Sequence, residues 1–266
     1  MYHSHWGLRQ SPFRDCLDPR FFYQGPTHDE ALARLHYLVE QHRRLGLLMG
    51  PAGSGKSLLL EVLAARLRRS GRSVAQLGLV GMEPAEMLAM LAAQLGCHLD
   101  GAEPLAAGWR ALTDRLAQQR YQQIDTAILL DDADQAAGPL LPHLLRLAKL
   151  QPGPSSRLTL ILAGRRERMG RLGEPILGLA ELRIDLEPWQ PDDVEGFLHT
   201  SLQKAGCPDA VFAPPAVTRL CELSHGIPRQ VRQLADLALL AGAGRNLEQI
   251  DADVLQSVYH ELGLGS

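Results

Sequence analysis

Three observations in this 266-residue chain predict an α/β fold: a mostly parallel sheet covered by helices on both faces, followed by a separate helical domain. The first is Gly50-Pro51-Ala52-Gly53-Ser54-Gly55-Lys56-Ser57, a complete G-x-x-x-x-G-K-[ST] loop set between a short apolar strand and a helix. The second is the alternation of short apolar runs with amphipathic helical stretches as far as Pro188, the pattern that parallel strands and their crossovers require. The third is the loss of every strand pattern beyond Pro188.

Residues 1–26 read as an irregular segment that packs on the core. Pro12, Pro19 and Pro26 interrupt any helix there, while Phe13, Phe21, Phe22 and Tyr23 supply bulky apolar contacts. The α/β domain is expected over 27–188. It opens with Thr27-His28-Asp29-Glu30, which has capping-box spacing, Thr27 as N-cap and Glu30 three residues on, ahead of a helix through Glu40. The run 45–49 is the first strand, and the helix beyond the glycine loop ends near Ser70, with Gly71 as its terminal glycine. Residues 73–80 read as a second strand and 82–95 as a helix whose Met82, Met87 and Met90 are core filler. A polar connection over 97–105 leads to a helix at 105–119 and a strand at 126–130 that runs into Asp131-Asp132-Ala133-Asp134-Gln135. A helix at 140–150, a loop at 152–156, and strands at 158–162 and 182–186 complete the domain. In the helical domain, 189–266, helices are expected at 192–204, 215–223, 228–240 and 251–262.

The glycine loop specifies chemistry. Its glycines let the backbone curl so that successive N–H groups and the helix N-terminus point at phosphates. Lys56 offers a positive charge to the β and γ groups and Ser57 a hydroxyl to Mg²⁺; Gly50, Pro51, Ala52, Gly53, Ser54, Gly55, Lys56, Ser57 and Leu58 form the expected nucleotide-binding set. A strand beside the loop-bearing one is expected to deliver an acid at its carboxyl end, where ligands of open α/β sheets gather. Asp131 then holds the Mg²⁺ shell through water, and Asp132 orients and deprotonates the attacking water. Taken singly, a Gly-rich turn and an acidic turn after a core strand are ordinary structure; together they point to ATP and Mg²⁺.

With 45% hydrophobic and 21% charged residues the chain is a folded globular protein. A net charge of −3 gives no global pull toward nucleic acid or an anionic membrane, which leaves only local basic patches open. Cys16, Cys97, Cys207 and Cys221 are far apart and form no C-x-x-C pair, so they read as reduced thiols of an intracellular protein. There is no apolar signal core and no apolar stretch near the ~20 residues of a membrane span. A cytoplasmic location is expected, with attachment to a membrane complex through a protein partner left open. The ten histidines lack metal-ligand spacing, and His28 and His225 read as polar surface or turn residues.

Several motifs carry a family resemblance: Ser11-Pro12-Phe13, Asp18-Pro19-Arg20-Phe21-Phe22-Tyr23, His28-Asp29-Glu30-Ala31-Leu32-Ala33-Arg34-Leu35, the glycine loop, Leu129-Leu130-Asp131-Asp132-Ala133-Asp134-Gln135, Leu162-Ala163-Gly164 and Gly226-Ile227-Pro228-Arg229. Over nearly its whole length the chain resembles the AAA+ ATPases of the ExeA type (general secretion pathway protein A), and transposition-associated AAA+ ATPases share the general plan. The resemblance implies a P-loop NTPase, a three-layer αβα parallel sheet with a C-terminal α-helical lid. It further implies a nucleotide held between sheet domain and lid, and a ring-like homo-oligomer whose neighbouring subunit completes the site. Arg229 would be the sensor arginine reaching the γ-phosphate. Arg183 is a candidate for the arginine supplied in trans to a neighbour's ATP, with a plain edge-strand arginine as the equal alternative.

Departures from the family pattern matter. Asp132 stands where Glu is usual and is one methylene shorter, so slow hydrolysis is compatible with good binding. Arg165 replaces a common Gln, which leaves γ-phosphate sensing and solvent exposure both open. Gly178 replaces an arginine, raising the weight on Arg183 or Arg171. The chain stops at Ser266, so the membrane span and peptidoglycan-binding region of secretion-linked members are not expected and a role in export is not inherited automatically. Arg66, Arg68, Arg69 and Arg72 offset a helix dipole. Subunit contact, phosphate sensing and nucleic-acid contact stay open for the basic loop of Arg165, Arg166, Arg168 and Arg171. Two functions are expected from these residues: an ATPase coupling nucleotide state to assembly or remodelling of a partner complex, or an ATP-gated switch with little turnover that recruits a secretion, pilus or transposition partner.

Overall fold

In the computed structural model, five strands, β1 (Leu45–Met49), β2 (Ser73–Gly78), β3 (Thr126–Asp131), β4 (Leu158–Gly164) and β5 (Leu182–Asp185), pair in the order β2-β3-β4-β1-β5, all of them parallel. The structure describes residues 2–13, 19, 22–97, 104–136, 138–150, 155–207 and 210–263. The chain forms two units, one of Met1–Asp29, Pro51–Gly55 and Glu187–Ser266, the other of Glu30–Gly50 and Lys56–Leu186.

The strand order corrects one expectation. The acid-bearing β3 does not lie beside β1, because β4 separates them, pairing Leu47 with Leu162 on one side and Leu130 with Leu162 on the other. Every residue of β4 is buried, as a central parallel strand demands, so the most apolar run takes the middle of the sheet and the acid-bearing strand moves one place outward. At the opposite edge β5 buries only Ile184 fully.

Helices precede and follow these strands: α1 (Tyr2–His5), α2 (Pro26–Glu40), α3 (Lys56–Arg69), α4 (Pro84–Gln94), α5 (Pro104–Tyr121), α6 (Leu141–Ala148) and α7 (Glu174–Leu177). The period of two in the strands sorts their side chains. Leu45, Leu47, Leu77, Ile128, Leu130 and Leu160 share a core with Leu88 and Leu91 of α4, Leu112 and Leu116 of α5, and Leu144 and Leu147 of α6. Helix α3 packs on β2, β3 and β4 with Leu59, Leu60, Leu63 and Leu67 fully enclosed. Each leucine so buried contributes about 1.5–3 kcal/mol, which makes this layer the anchor for the loop that precedes α3.

Some local expectations shift. Helix α2 begins at Pro26, whose missing N–H is no loss in a first turn, and Asp29 N–H donates to the Gly25 carbonyl at 2.9 Å; Thr27 therefore sits inside the helix and is not its N-cap. Met82 and Met87 are core residues, whereas Met90 is 41% exposed. The second strand stops at Gly78, and a 3₁₀ turn at Arg166–Leu172 plus α7 occupy the stretch between β4 and β5. Cys16, Asp18, Arg20, Phe21, most of the connection at 97–105 and the loop residues 152–154 lie outside the described residues.

The other unit is helical: α8 (Pro191–Ala205), α9 (Pro214–Leu223), α10 (Pro228–Gly244) and α11 (Ala252–Glu261). Proline opens α8, α9 and α10, and Asp251 caps α11 by accepting Val254 N–H at 2.9 Å. Trp6, Leu8 and Phe13 from the N-terminal segment join the core of this unit, where the Trp6 indole N–H donates to the Leu239 carbonyl at 2.8 Å. Among the described residues no helix is long and apolar enough to cross a membrane, and Cys97, Cys207 and Cys221 are free thiols.

Candidate functional site

Strand β1 ends at Met49 and α3 starts at Lys56, with the glycine loop between them. Gly55 has φ +95°, a backbone conformation that side-chain-bearing residues adopt only with strain, and a Cβ there would stand 2.9 Å from His28 Nε2. Pro51–Gly55 belongs to the helical unit, while Gly50 and Lys56 belong to the sheet unit. Lys56 is 8% exposed, and its Nζ donates to the Gly50 carbonyl at 3.0 Å. Burial pushes its amine below the ordinary lysine value, against the pull of Asp131, Asp134 and Asp132.

The acids sit where β3 ends. Burial pushes the Asp131 carboxyl above its ordinary value; a hydrogen bond with the Ser57 hydroxyl, the Asp132 N–H at 2.9 Å and the charge of Lys56 oppose this without cancelling it. Asp132 is partly buried, takes the left-handed conformation with φ +51°, and accepts a 3.1 Å hydrogen bond from Gln135 Nε2. Asp134 is 1% exposed: its Oδ1 accepts Arg165 N–H at 3.1 Å, and its Oδ2 is buried without a hydrogen-bond partner. One buried ammonium thus feels the charge of three carboxylates, with Asp134 Oδ2 left without a hydrogen-bond partner.

Of the sequence-predicted residues, the sheet unit brings together Lys56, Ser57, Asp131 and Asp132. Leu58 follows in the first turn of α3, partly exposed. Arg229 lies at the start of α10 in the helical unit, exposed, with its N–H donating to the Gly53 carbonyl at 3.2 Å. Arg183 lies within the edge strand β5, level with Leu47, exposed, its Nη2 donating to the Leu177 carbonyl at 3.4 Å. Arg165 is partly buried, Arg166 pairs with Asp185 at 3.0 Å, and Arg168 and Arg171 are exposed in the 3₁₀ turn.

His28 differs from its sequence reading. It is not a surface or turn residue but 4% exposed, and its Nε2 lies 2.9 Å from the Ser54 carbonyl of the glycine loop. The Trp189 indole N–H reaches its other ring nitrogen at 3.2 Å. Sequence reasoning missed both; the available signal was Trp189, an isolated large aromatic among Glu187, Pro188, Gln190 and Pro191. His225 is an exposed turn residue with φ +49°.

A parallel sheet whose first strand feeds a glycine loop and a helix carrying lysine and serine at its start defines the P-loop class of α/β proteins. Within that class, the AAA domain family model matches residues 39–172, half of the chain, and the protein belongs to that family. It is 28% identical over 269 residues to General secretion pathway protein A of Aeromonas hydrophila, covering 99% of this chain and 49% of that protein. The chain therefore spans about half the length of the curated relative it matches. Its fold is similar to that of the Aeropyrum pernix ORC1 protein solved in complex with DNA (TM-score 0.67, 19% identity, 96% of this chain and 69% of that one). Also similar are Cdc6p of Pyrobaculum aerophilum (TM-score 0.71, 16%, 92% and 71%) and the RuvB Holliday junction branch migration motor of Thermotoga maritima (0.60, 16%, 95% and 74%).

Proposed function

We propose that this protein binds and hydrolyses ATP and couples nucleotide state to the assembly or remodelling of a partner complex, with 27–188 as the ATPase domain and 189–266 as its lid. The observation that carries the reading is the set formed by Lys56, Ser57 and Asp131: a buried ammonium at the head of α3 beside a hydroxyl hydrogen-bonded to a carboxyl held above its ordinary value. The donor set fits Mg²⁺, a hard cation that takes oxygen ligands, and a cation there relieves the cost of the buried Asp131 charge. When bound, Mg²⁺ neutralises charge on the β- and γ-phosphate oxygens.

In this reading Lys56 and the loop amides bind the triphosphate, Ser57 and Asp131 hold the metal, and Asp132 positions water and accepts its proton, an arrangement in which Gln135 steers the carboxylate. Arg229 senses the γ-phosphate, and Arg183 acts in trans in a homo-oligomer. The likeness to General secretion pathway protein A supports a partner of the secretion type. A second reading, an ATP-gated recruitment switch with little turnover, is favoured by Asp132, a short acid in a left-handed conformation and bonded to Gln135. The ORC1 structure is a DNA complex, which makes DNA the first partner to add under that reading.

Phosphate release from MgATP, with and without duplex DNA, tests the proposal. Steady Mg²⁺-dependent release is expected, together with ATP binding that is weakened at least ~tenfold in Lys56→Ala, a loss of ~1.4 kcal/mol or more from a charge-assisted contact. Binding without release supports the switch, and unchanged affinity in Lys56→Ala overturns both readings.

A further inference from the structure

We infer that His28 and Trp189 form a relay that sets the backbone of the phosphate loop, with Trp189 fixing the tautomer of His28 and His28 fixing the Ser54–Gly55 peptide. The inference rests on the nucleotide-binding reading above and deepens it by naming residues that position the loop backbone. All members lie in the helical unit, which includes Met1–Asp29, Pro51–Gly55 and Glu187–Ser266.

The hydrogen-bond roles are forced at both ends. An indole N–H only donates, so the His28 Nδ1 that receives the Trp189 N–H at 3.2 Å carries no proton. The proton of the neutral ring then sits on Nε2, and the group 2.9 Å away is the Ser54 carbonyl, which only accepts. Burial holds His28 below the ordinary histidine value, in keeping with this neutral form, against the charges of Asp193 and Asp29 that face it. The peptide group is planar, so a Ser54 carbonyl held on His28 turns the Gly55 N–H to the opposite side. That amide is one of those the loop presents to phosphate.

The relay is itself clamped. The backbone N–H of Trp189 donates to the Gly226 carbonyl at 2.8 Å, and the Cys221 thiol lies 3.5 Å from the Trp189 carbonyl. Gly226, at φ +64°, is irreplaceable here because a Cβ would fall 2.2 Å from the Trp189 oxygen. The Gly226-Ile227-Pro228 turn then delivers Arg229, whose N–H returns to the Gly53 carbonyl at 3.2 Å. Two consecutive loop carbonyls, Gly53 and Ser54, are therefore held by one closed circuit through His28, Trp189 and the turn before α10. The Trp189 ring also makes edge-to-face contacts with Tyr23 and His28 at centroid distances of 5.6 and 5.8 Å, so the indole has little freedom to release its partner.

The test measures MgATP affinity by calorimetry in the parent, His28→Ala, His28→Gln, Trp189→Phe and the His28→Ala/Trp189→Phe double variant. Loss of the hydrogen bond to a loop carbonyl is expected to weaken binding about tenfold in His28→Ala, and loss of the tautomer lock about threefold in Trp189→Phe. The double variant should bind like His28→Ala alone, because both changes act through one chain of bonds. His28→Gln, whose amide can donate to the same carbonyl, should recover most of the affinity, and it serves as the folded control if His28→Ala unfolds. The Trp189 indole N–H resonance, assigned by its loss in Trp189→Phe, should shift on addition of MgATP in the parent. His28→Ala affinity within about twofold of the parent, effects that multiply in the double variant, or an indole resonance indifferent to nucleotide each overturn the relay alone. A parent that binds no nucleotide overturns the underlying reading as well.

Discussion

Strand β3 has an aspartate at each end, and the two live in opposite conditions. Asp125, just ahead of the strand, accepts hydrogen bonds from Arg157 Nη1 at 2.6 Å and His42 Nε2 at 2.8 Å, with Arg72 Nε at 3.5 Å. Burial alone would raise its carboxyl, but the bonds and charges of Arg157 and His42 outweigh that and hold it below the ordinary value. Asp131, at the far end, has a hydroxyl, one N–H and the buried Lys56 to set against its burial, and it stays above the ordinary value. Cationic partners offset the burial of one acid, and the contacts of the other leave its carboxyl raised. The first condition is that of a structural ion cluster; under the proposed function the second is that of a group kept ready for a ligand, at a cost in stability.

The comparison breaks most decisively at the ligand end. Asp132→Asn should lower the rate of phosphate release by at least ~100-fold, the scale of a lost general base, while ATP affinity stays within about twofold in calorimetry. Release at the parent rate would move the base elsewhere, with buried Asp134 the next candidate. Asp131→Ala should weaken Mg²⁺-dependent ATP binding about tenfold or more with no loss of melting temperature, because the charge it removes is one whose burial outweighs its favourable contacts. A large drop in melting temperature would erase the distinction between the two ends.

Asp125→Ala should do the reverse. Stripping two charge-assisted bonds costs about 1.5–3 kcal/mol in denaturant unfolding, with MgATP affinity unchanged. The smallest effect is the pH dependence, and its sign differs between the ends. Asp125, depressed in the folded state, contributes stability that is present above its unfolded value and lost as pH falls through its folded value. Asp131, raised in the folded state, costs stability at neutral pH, and that cost is relieved as pH falls through its folded value. Asp131→Asn should therefore gain about 1–2 °C in melting temperature at pH 7, a gain that shrinks on acidification, whereas Asp125→Asn should flatten the acid-side loss.

What the sequence made legible was local. Strands β1, β3 and β4 are built on short apolar runs, and the glycine loop with its lysine and serine is contiguous, so both could be read without tertiary knowledge. The pairing of β4 between β1 and β3 could not, since strand order is decided by which runs tolerate complete burial across the whole sheet. His28 was misread for the same reason. Its burial depends on Trp189, which lies 161 residues away in the chain, and nothing in Thr27-His28-Asp29 signals that partner. The cluster around Asp125 draws on His42 and Arg157 in the same way, from segments that meet only after the sheet forms. Met90 failed differently: an Ala- and Leu-rich helix surrounds it with apolar neighbours in sequence, yet the face it occupies is left open to water.

Strand β5 has a consequence for solution behaviour. It is four residues long, lies at the margin of the sheet, and presents exposed Arg183 and Asp185 on either side of its one buried side chain. A bare strand margin is a template on which any extended chain can add itself, and shortness with projecting charge is how proteins refuse that addition. Exposed charge at Arg183 disfavours strand addition at this margin, an effect independent of any reach to a neighbour's phosphate. A chain without it that clouds in solution has lost its protection against aggregation, which is a separate matter from any loss of turnover.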